Sequence, residues 1–141
     1  MKMNIDEVTR AWVVPSTQPH LPQLKAACPS FAARVVQAVR DRFGGHAPRV
    51  YRAAGLTRQA YSRIVGDETH VVSKRTAIRL AFALHHTPDE ARLLLRSAGY
   101  AFSPNLAEDY ILQACLQSNP PIWDLNIVNQ LLRNYGIDYQ Y

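Results

Sequence analysis

Apolar residues recur at three- and four-residue intervals through most of this 141-residue chain, and no segment of useful length alternates with period two. Ser30 stands as a cap before a helix running to about Phe43, with Phe31, Val35, Val39 and Phe43 on one stripe and Arg34, Arg40, Asp41 and Arg42 mostly outside. Gly44-Gly45 ends it. Pro48, in a first-turn position, opens a short helix from Arg49 to Ala54 that Gly55 stops. Thr57 caps the next, from Arg58 to about Val65, with Tyr61 and Ile64 inward and Gly66 closing it. An exposed loop carrying Asp67, Glu68, Thr69 and His70 leads to Ser73, which caps a helix from Lys74 to His85 with Ala77, Ile78, Ala81 and Leu84 as its stripe.

Thr87-Pro88-Asp89-Glu90 combines a cap, a proline at the first helical position and a glutamate three residues after the cap. That helix carries Leu93, Leu94 and Ala98 and stops at Gly99. Ser103-Pro104 reads as another cap-and-proline start, leading Leu106, Tyr110 and Ala114 along one face to about Gln117. Asn119-Pro120-Pro121 is a break. Asp124 begins a last helix with Leu125, Val128, Leu132 and Tyr135 at helical spacing, ended by Gly136. The expected fold is all-α, helices packed on helices.

Prolines at 15, 19, 22 and 29 divide the start of the chain, leaving room for one short helix from Asp6 to Trp12 in an irregular arm. The pattern divides the chain into this arm (1–29), a helical domain (30–98) and a C-terminal two-helix extension (99–141) packed on it. No apolar run approaches the ~18 residues that span a bilayer, and Met1 to Arg10 has no apolar stretch behind its lysines. A soluble, cytoplasmic protein without a membrane partner is the expectation.

Charge changes the picture once it is divided. Residues 34–97 hold 12 Lys/Arg against 5 Asp/Glu, a net of +7, whereas residues 98–141 hold one base against four acids, a net of −3. A polyanion suits the middle segment, and something else suits the acidic, aromatic tail.

The segment from Arg49 to Gly66 supplies the chemistry. A short helix, a glycine turn and a second short helix form a helix-turn-helix arrangement. Ala53 is the expected small residue of the first helix, Gly55-Leu56 the turn, and Leu56, Tyr61 and Ile64 the apolar anchors. With Thr57 as cap, Arg58, Gln59, Ser62 and Arg63 face outward. Arginine pairs with guanine edges, glutamine with adenine, and serine with either or with phosphate. The cap end also offers backbone N–H groups to a phosphate.

Here the sequence resembles the lambda-repressor-like (Cro/C1, XRE) helix-turn-helix domain over roughly residues 30–95. The likeness is carried by Tyr51-Arg52-Ala53-Ala54-Gly55-Leu56-Thr57-Arg58-Gln59-Ala60-Tyr61-Ser62-Arg63-Ile64, Ser73-Lys74-Arg75-Thr76-Ala77 and Leu80-Ala81-Phe82-Ala83-Leu84. It implies that Arg58, Gln59 and Arg63 read the major groove, Ser62 meets the groove wall, and Lys74 and Arg75 touch phosphate. The chain departs from the family pattern at Val65-Gly66, where an acidic residue then Gly is usual. It departs again in a longer following loop, with Val72 where proline is common. A second likeness, carried by Ser97-Ala98-Gly99-Tyr100-Ala101-Phe102-Ser103, Asp109-Tyr110-Ile111, residues 122–132 and Tyr135-Gly136, is to a bacterial helix-turn-helix variant. That variant occurs alone or as the tail of larger proteins.

Other chemistries find little footing. No GxSxG, Walker or metal signature is present, and adjacent acids such as Asp89-Glu90 and Glu108-Asp109 sit at helix starts, where they favour the dipole. Cys28 and Cys115 match no ligand spacing and read as buried small residues. His85-His86 reads as favourable charge at a helix C-terminus rather than a metal site. The expectation is therefore a binding protein, not an enzyme, with no cofactor: a DNA-binding transcription regulator in a bacterial or phage setting, acting on duplex DNA as a homodimer. The competing expectation is an adaptor or inhibitor of phage defence or counter-defence built on the same scaffold. It would engage a protein through the tail. Trp123, Tyr135 and Tyr139 are the candidates for that partner or dimer surface, against their simpler reading, with Tyr141, as core and chain end.

Overall fold

The computed structural model describes residues 28–141, so the expected helix from Asp6 to Trp12 and most of the proline-rich arm lie outside the described residues. Within them the chain is all-α, with seven helices and no strand: α1 (Phe31–Phe43), α2 (Ala47–Ala53), α3 (Arg58–Gly66), α4 (Lys74–Ala83), α5 (Pro88–Ser97), α6 (Ala107–Gln117) and α7 (Leu125–Asn134). No helix among them is long and apolar enough to cross a membrane.

The capping chemistry explains most of the boundaries. The side chains of Ser30, Thr57 and Ser73 each accept from the backbone N–H three residues on, and Thr87 and Glu90 close a full capping box. Asp124 accepts from the N–H of Asn126 at the start of α7. Two starts differ from expectation. The second helix begins at Ala47 rather than Arg49, with Pro48 in its first turn and no side-chain cap from His46. The sixth begins only at Ala107: Ser103 spends its hydroxyl accepting from Asn105 N, and Ser103-Pro104 forms a turn ahead of the helix.

α4 is the centre of the molecule. Ala77, Ile78, Leu80, Ala81, Phe82 and Ala83 are all buried, which is more than the single stripe expected. A helix apolar nearly all round must be covered from several sides, and α4 packs against α2 and α5, with Leu112, Leu116, Val128 and Leu132 of the last two helices continuing the same core. Individual stripes also rotate. Leu93 is exposed while Ala91, Leu94 and Leu95 are buried. On α6 the expected face (Leu106, Tyr110, Ala114) points outward, and Ile111, Leu112, Cys115 and Leu116 go in. The inward set presents larger aliphatic volume than the face expected. Cys115 is buried as expected, but Cys28 is exposed.

The two histidines correct another expectation. α4 ends at Ala83, and His85 takes a left-handed conformation (φ 56°). His86 is buried, and burial pushes its imidazole down to about 4; burial and the neighbouring Arg49 and Arg42 lower His85 as well. Neither ring supplies positive charge near neutrality. Arg42, reaching across from α1, does so instead: its guanidinium donates to the carbonyl oxygens of Leu84 and His85 and pairs with Glu90. Glu90 feels burial that would raise it, but the hydrogen bonds from Arg42 and Thr87 prevail and bring its carboxyl to about 2.

Candidate nucleic-acid interface

α2 and α3 meet across a four-residue turn, Ala54 to Thr57. Gly55 holds φ 69°, a conformation costly to side-chain-bearing residues, and Leu56 N donates to Tyr51 O at 2.8 Å to close the turn. The small buried residue at this junction is Ala54, fully buried, rather than Ala53, which is exposed. Between the helices the rings of Tyr51 and Tyr61 pack with centroids 5.5 Å apart. Tyr61 and Ile64 pin α3 to the core as expected, and burial raises the Tyr61 phenol above its ordinary value.

With that face anchored, Thr57, Arg58, Gln59, Ser62 and Arg63 are all exposed. The Thr57 hydroxyl is committed to Ala60 N at 3.1 Å. Among the described residues no hydrogen bond or ion pair engages the side chains of Arg58, Gln59, Ser62 or Arg63. The first turn of α3 contains no acid, so its free N–H groups and Arg58 present one sign of charge, and Arg63 in the last turn adds to it.

The start of α4 differs. Lys74 Nζ donates to Asp109 Oδ2 at 2.7 Å, and Asp109, on α6, is fully buried. The same oxygen accepts from Ser103 N at 2.6 Å. Arg75 lies over the ring of Tyr139, 5.5 Å from its centroid. Tyr100 also ties the extension to this region, its hydroxyl donating to Val72 O at 2.7 Å at the end of the 67–72 loop. The structure thus brings Thr57, Arg58, Gln59, Ser62 and Arg63 together on one open face and binds Lys74 and Arg75 into contacts with residues 100–139. Sequence reasoning did not find Asp109 and Tyr139 as their partners, nor Tyr100 as the partner of Val72 O. A helix-start acid beside a second acid, Glu108, reads as dipole chemistry and carries no signal for a lysine 35 residues earlier.

The aromatic candidates also separate. Trp123 is half-buried, stacks on His85 (centroids 4.5 Å, planes 8° apart) and donates from Nε1 to His86 O at 3.0 Å, so it fastens the extension to the end of α4. Tyr141 is buried, its backbone gripped by both ends of the Asn129 amide. Tyr135, by contrast, is 72% exposed, and with Tyr110 and Leu106 it borders a groove between α6 and α7 that has no charged residue in its lining. No cluster of three or more metal-ligating side chains occurs among the described residues.

Compared with known protein families, with characterised proteins and with solved structures, the chain matches none of them. Its functional reading therefore rests on the geometry of α2, the turn and α3.

Proposed function

We propose that this chain is a sequence-specific duplex-DNA-binding protein, a transcriptional regulator that lays α3 in the major groove. The observation that carries this reading is the open face of α3: two arginines, a glutamine and a serine, exposed and uncommitted, on a helix whose opposite face is pinned by Tyr61 and Ile64. Arg58, Gln59 and Arg63 have the donors and acceptors that base edges require, and the capped start of the helix suits a backbone phosphate. A single helix reads few base pairs, so the reading includes a dimer on a two-fold site. The net +7 of residues 34–97 favours the approach to a polyanion.

The test is fluorescence anisotropy on duplex DNA from the protein's own upstream region, across a salt series. Arg58→Ala and Arg63→Ala are each expected to cost about 1–3 kcal/mol on the preferred site. Binding that is weak, equally salt-sensitive on any sequence and indifferent to both changes would sink the proposal and leave the α2–α3 pair as a scaffold. One observation favours a second reading, the protein-interaction module: the uncharged groove bordered by Tyr110 and Tyr135. Such a module would hold its partner with little dependence on salt.

A further inference from the structure

We infer that the cleft between the α2–α3 turn and the first turn of α7 is a binding site for a small organic anion, a carboxylate or phosphate ester carried on a flat apolar body. The cleft has a volume of about 440 Å³, within the range of ligand sites, which favour the junctions between structural units. Arg52, Gly55 and Arg79 form one wall, and Trp123, Asn126 and Tyr141 the other.

Arg79 is the reason to assign an anion. It is partly buried, its Nε is fully shielded, and no acceptor meets that nitrogen. Among the described residues no carboxylate lies within ion-pairing distance of Arg79 or Arg52. The group on the preceding turn of α4 is another cation, Arg75, and burial and Arg75 together push the Arg79 guanidinium below its ordinary pKa. The guanidinium lies over the turn: a Cβ added to Gly55 would come 3.9 Å from it. The unpartnered, shielded Nε–H is a cost, and the rest of the guanidinium, only partly buried at the cleft wall, keeps N–H donors that a planar anion accepts in pairs. Asp124 also lines the cleft but makes no ion pair with Arg79 or Arg52, and its Oδ1 accepts from Asn126 N at 2.9 Å at the start of α7. The facing wall explains the flat body. Half-buried Trp123 offers aromatic surface, with the buried Tyr141 behind it, which suits a ring more than a bare inorganic ion. This inference is independent of DNA binding by α3.

The experiment is a ¹H–¹⁵N NMR titration of the full chain with phenyl phosphate and, separately, inorganic phosphate, following the Gly55 amide and the Trp123 indole N–H. Phenyl phosphate is expected to shift both signals saturably and to bind roughly fivefold or more tightly than inorganic phosphate. Arg79→Gln should weaken it by about tenfold or more, and Arg52→Gln by about threefold. Arg52 is exposed, so its variant decides the matter even if Arg79→Gln fails to fold. Arg58→Ala should leave the affinity unchanged, whether or not that residue reads DNA. Absence of saturable shifts, equal binding of the two phosphates, or indifference to Arg52→Gln would overturn the assignment. So would a duplex that displaces phenyl phosphate and itself loses affinity in Arg52→Gln, which would give the cleft to the nucleic-acid backbone.

Discussion

The N-terminal turns of α3 and α4 look alike in sequence and differ in the folded molecule. Each follows a Ser/Thr cap, and each opens on a cation: Thr57-Arg58-Gln59 in one, Ser73-Lys74-Arg75 in the other. The first is exposed, and none of its outward side chains is engaged by another described residue. The second is held by Asp109, and Tyr139 covers Arg75. A basic residue after a cap is therefore an available charge only where nothing from elsewhere in the chain is built to meet it. In this protein the extension meets one pair and leaves the other.

Breaking the held pair should have the largest effect. Lys74→Met leaves Asp109, fully buried, with the Ser103 N–H and no cation. An uncompensated buried charge of this kind costs about 3 kcal/mol, read as a lower urea midpoint at unchanged slope. Arg58→Ala and Arg63→Ala, at sites with no internal partner, should each move stability by no more than about 0.5 kcal/mol. Equal stability losses at Lys74 and Arg58 would erase the distinction between the two turns.

Acid should weaken the same seam from the other end of α4. His86 is held neutral by burial, with its pKa lowered to about 4 against 6.5 in the unfolded chain. Between those values the unfolded state binds the proton and the native state does not, so stability falls as pH drops from 6.5 to 4 and stays flat with respect to this group outside that window. At pH 5 the loss relative to pH 7 is about 1–2 kcal/mol. Glu90 adds a loss of the same sign only below 4.5, where a carboxyl lowered to about 2 in the native state begins to lose its contribution. His86→Phe should flatten the urea-midpoint profile between pH 7 and 5; an unchanged profile would remove His86 as the cause.

Much of the scaffold was legible because helix ends are local chemistry. Ser30, Thr57, Ser73, Thr87 and Asp124 each cap the helix that follows, as their side chains and the next three residues dictate. The outward set on α3 was legible for a related reason: once Tyr61 and Ile64 go inward, helical spacing fixes where Arg58, Gln59, Ser62 and Arg63 point. Tertiary choices were not. Tyr110 marked the expected face of α6, yet its neighbour Ile111 is the one that turns inward, because the volume left by α5 and α7 takes the aliphatic face. The Lys74–Asp109 pair joins residues 35 apart, and the Trp123–His85 stack joins residues 38 apart, without a periodic signal for either. Arg42 as the donor to the Leu84 and His85 carbonyls just past the end of α4 is of the same kind.

A third change tests whether the loop after α3 is held from the extension. Tyr100→Phe deletes the hydroxyl that donates to Val72 O and leaves the ring. The expected loss is about 1 kcal/mol, together with faster amide exchange across residues 67–72. Unchanged exchange there would mean that the buried Val72 side chain holds the loop by itself.

The smallest effect is the most informative for DNA. Tyr139→Ala removes the ring beneath Arg75, an exposed cation–π contact worth about 0.5 kcal/mol, and so should barely move the melt. What it changes is where the Arg75 guanidinium is free to go. If α3 sits in the major groove as proposed, the start of α4 lies within reach of the flanking backbone only when its cation is released, because Lys74 remains tied to Asp109. The salt dependence of duplex binding should then steepen by about one counterion in Tyr139→Ala, with no change in site preference, since a phosphate contact carries no base information. An unchanged slope assigns Arg75 to holding residues 139–141 in place and leaves α3 as the whole of the candidate interface.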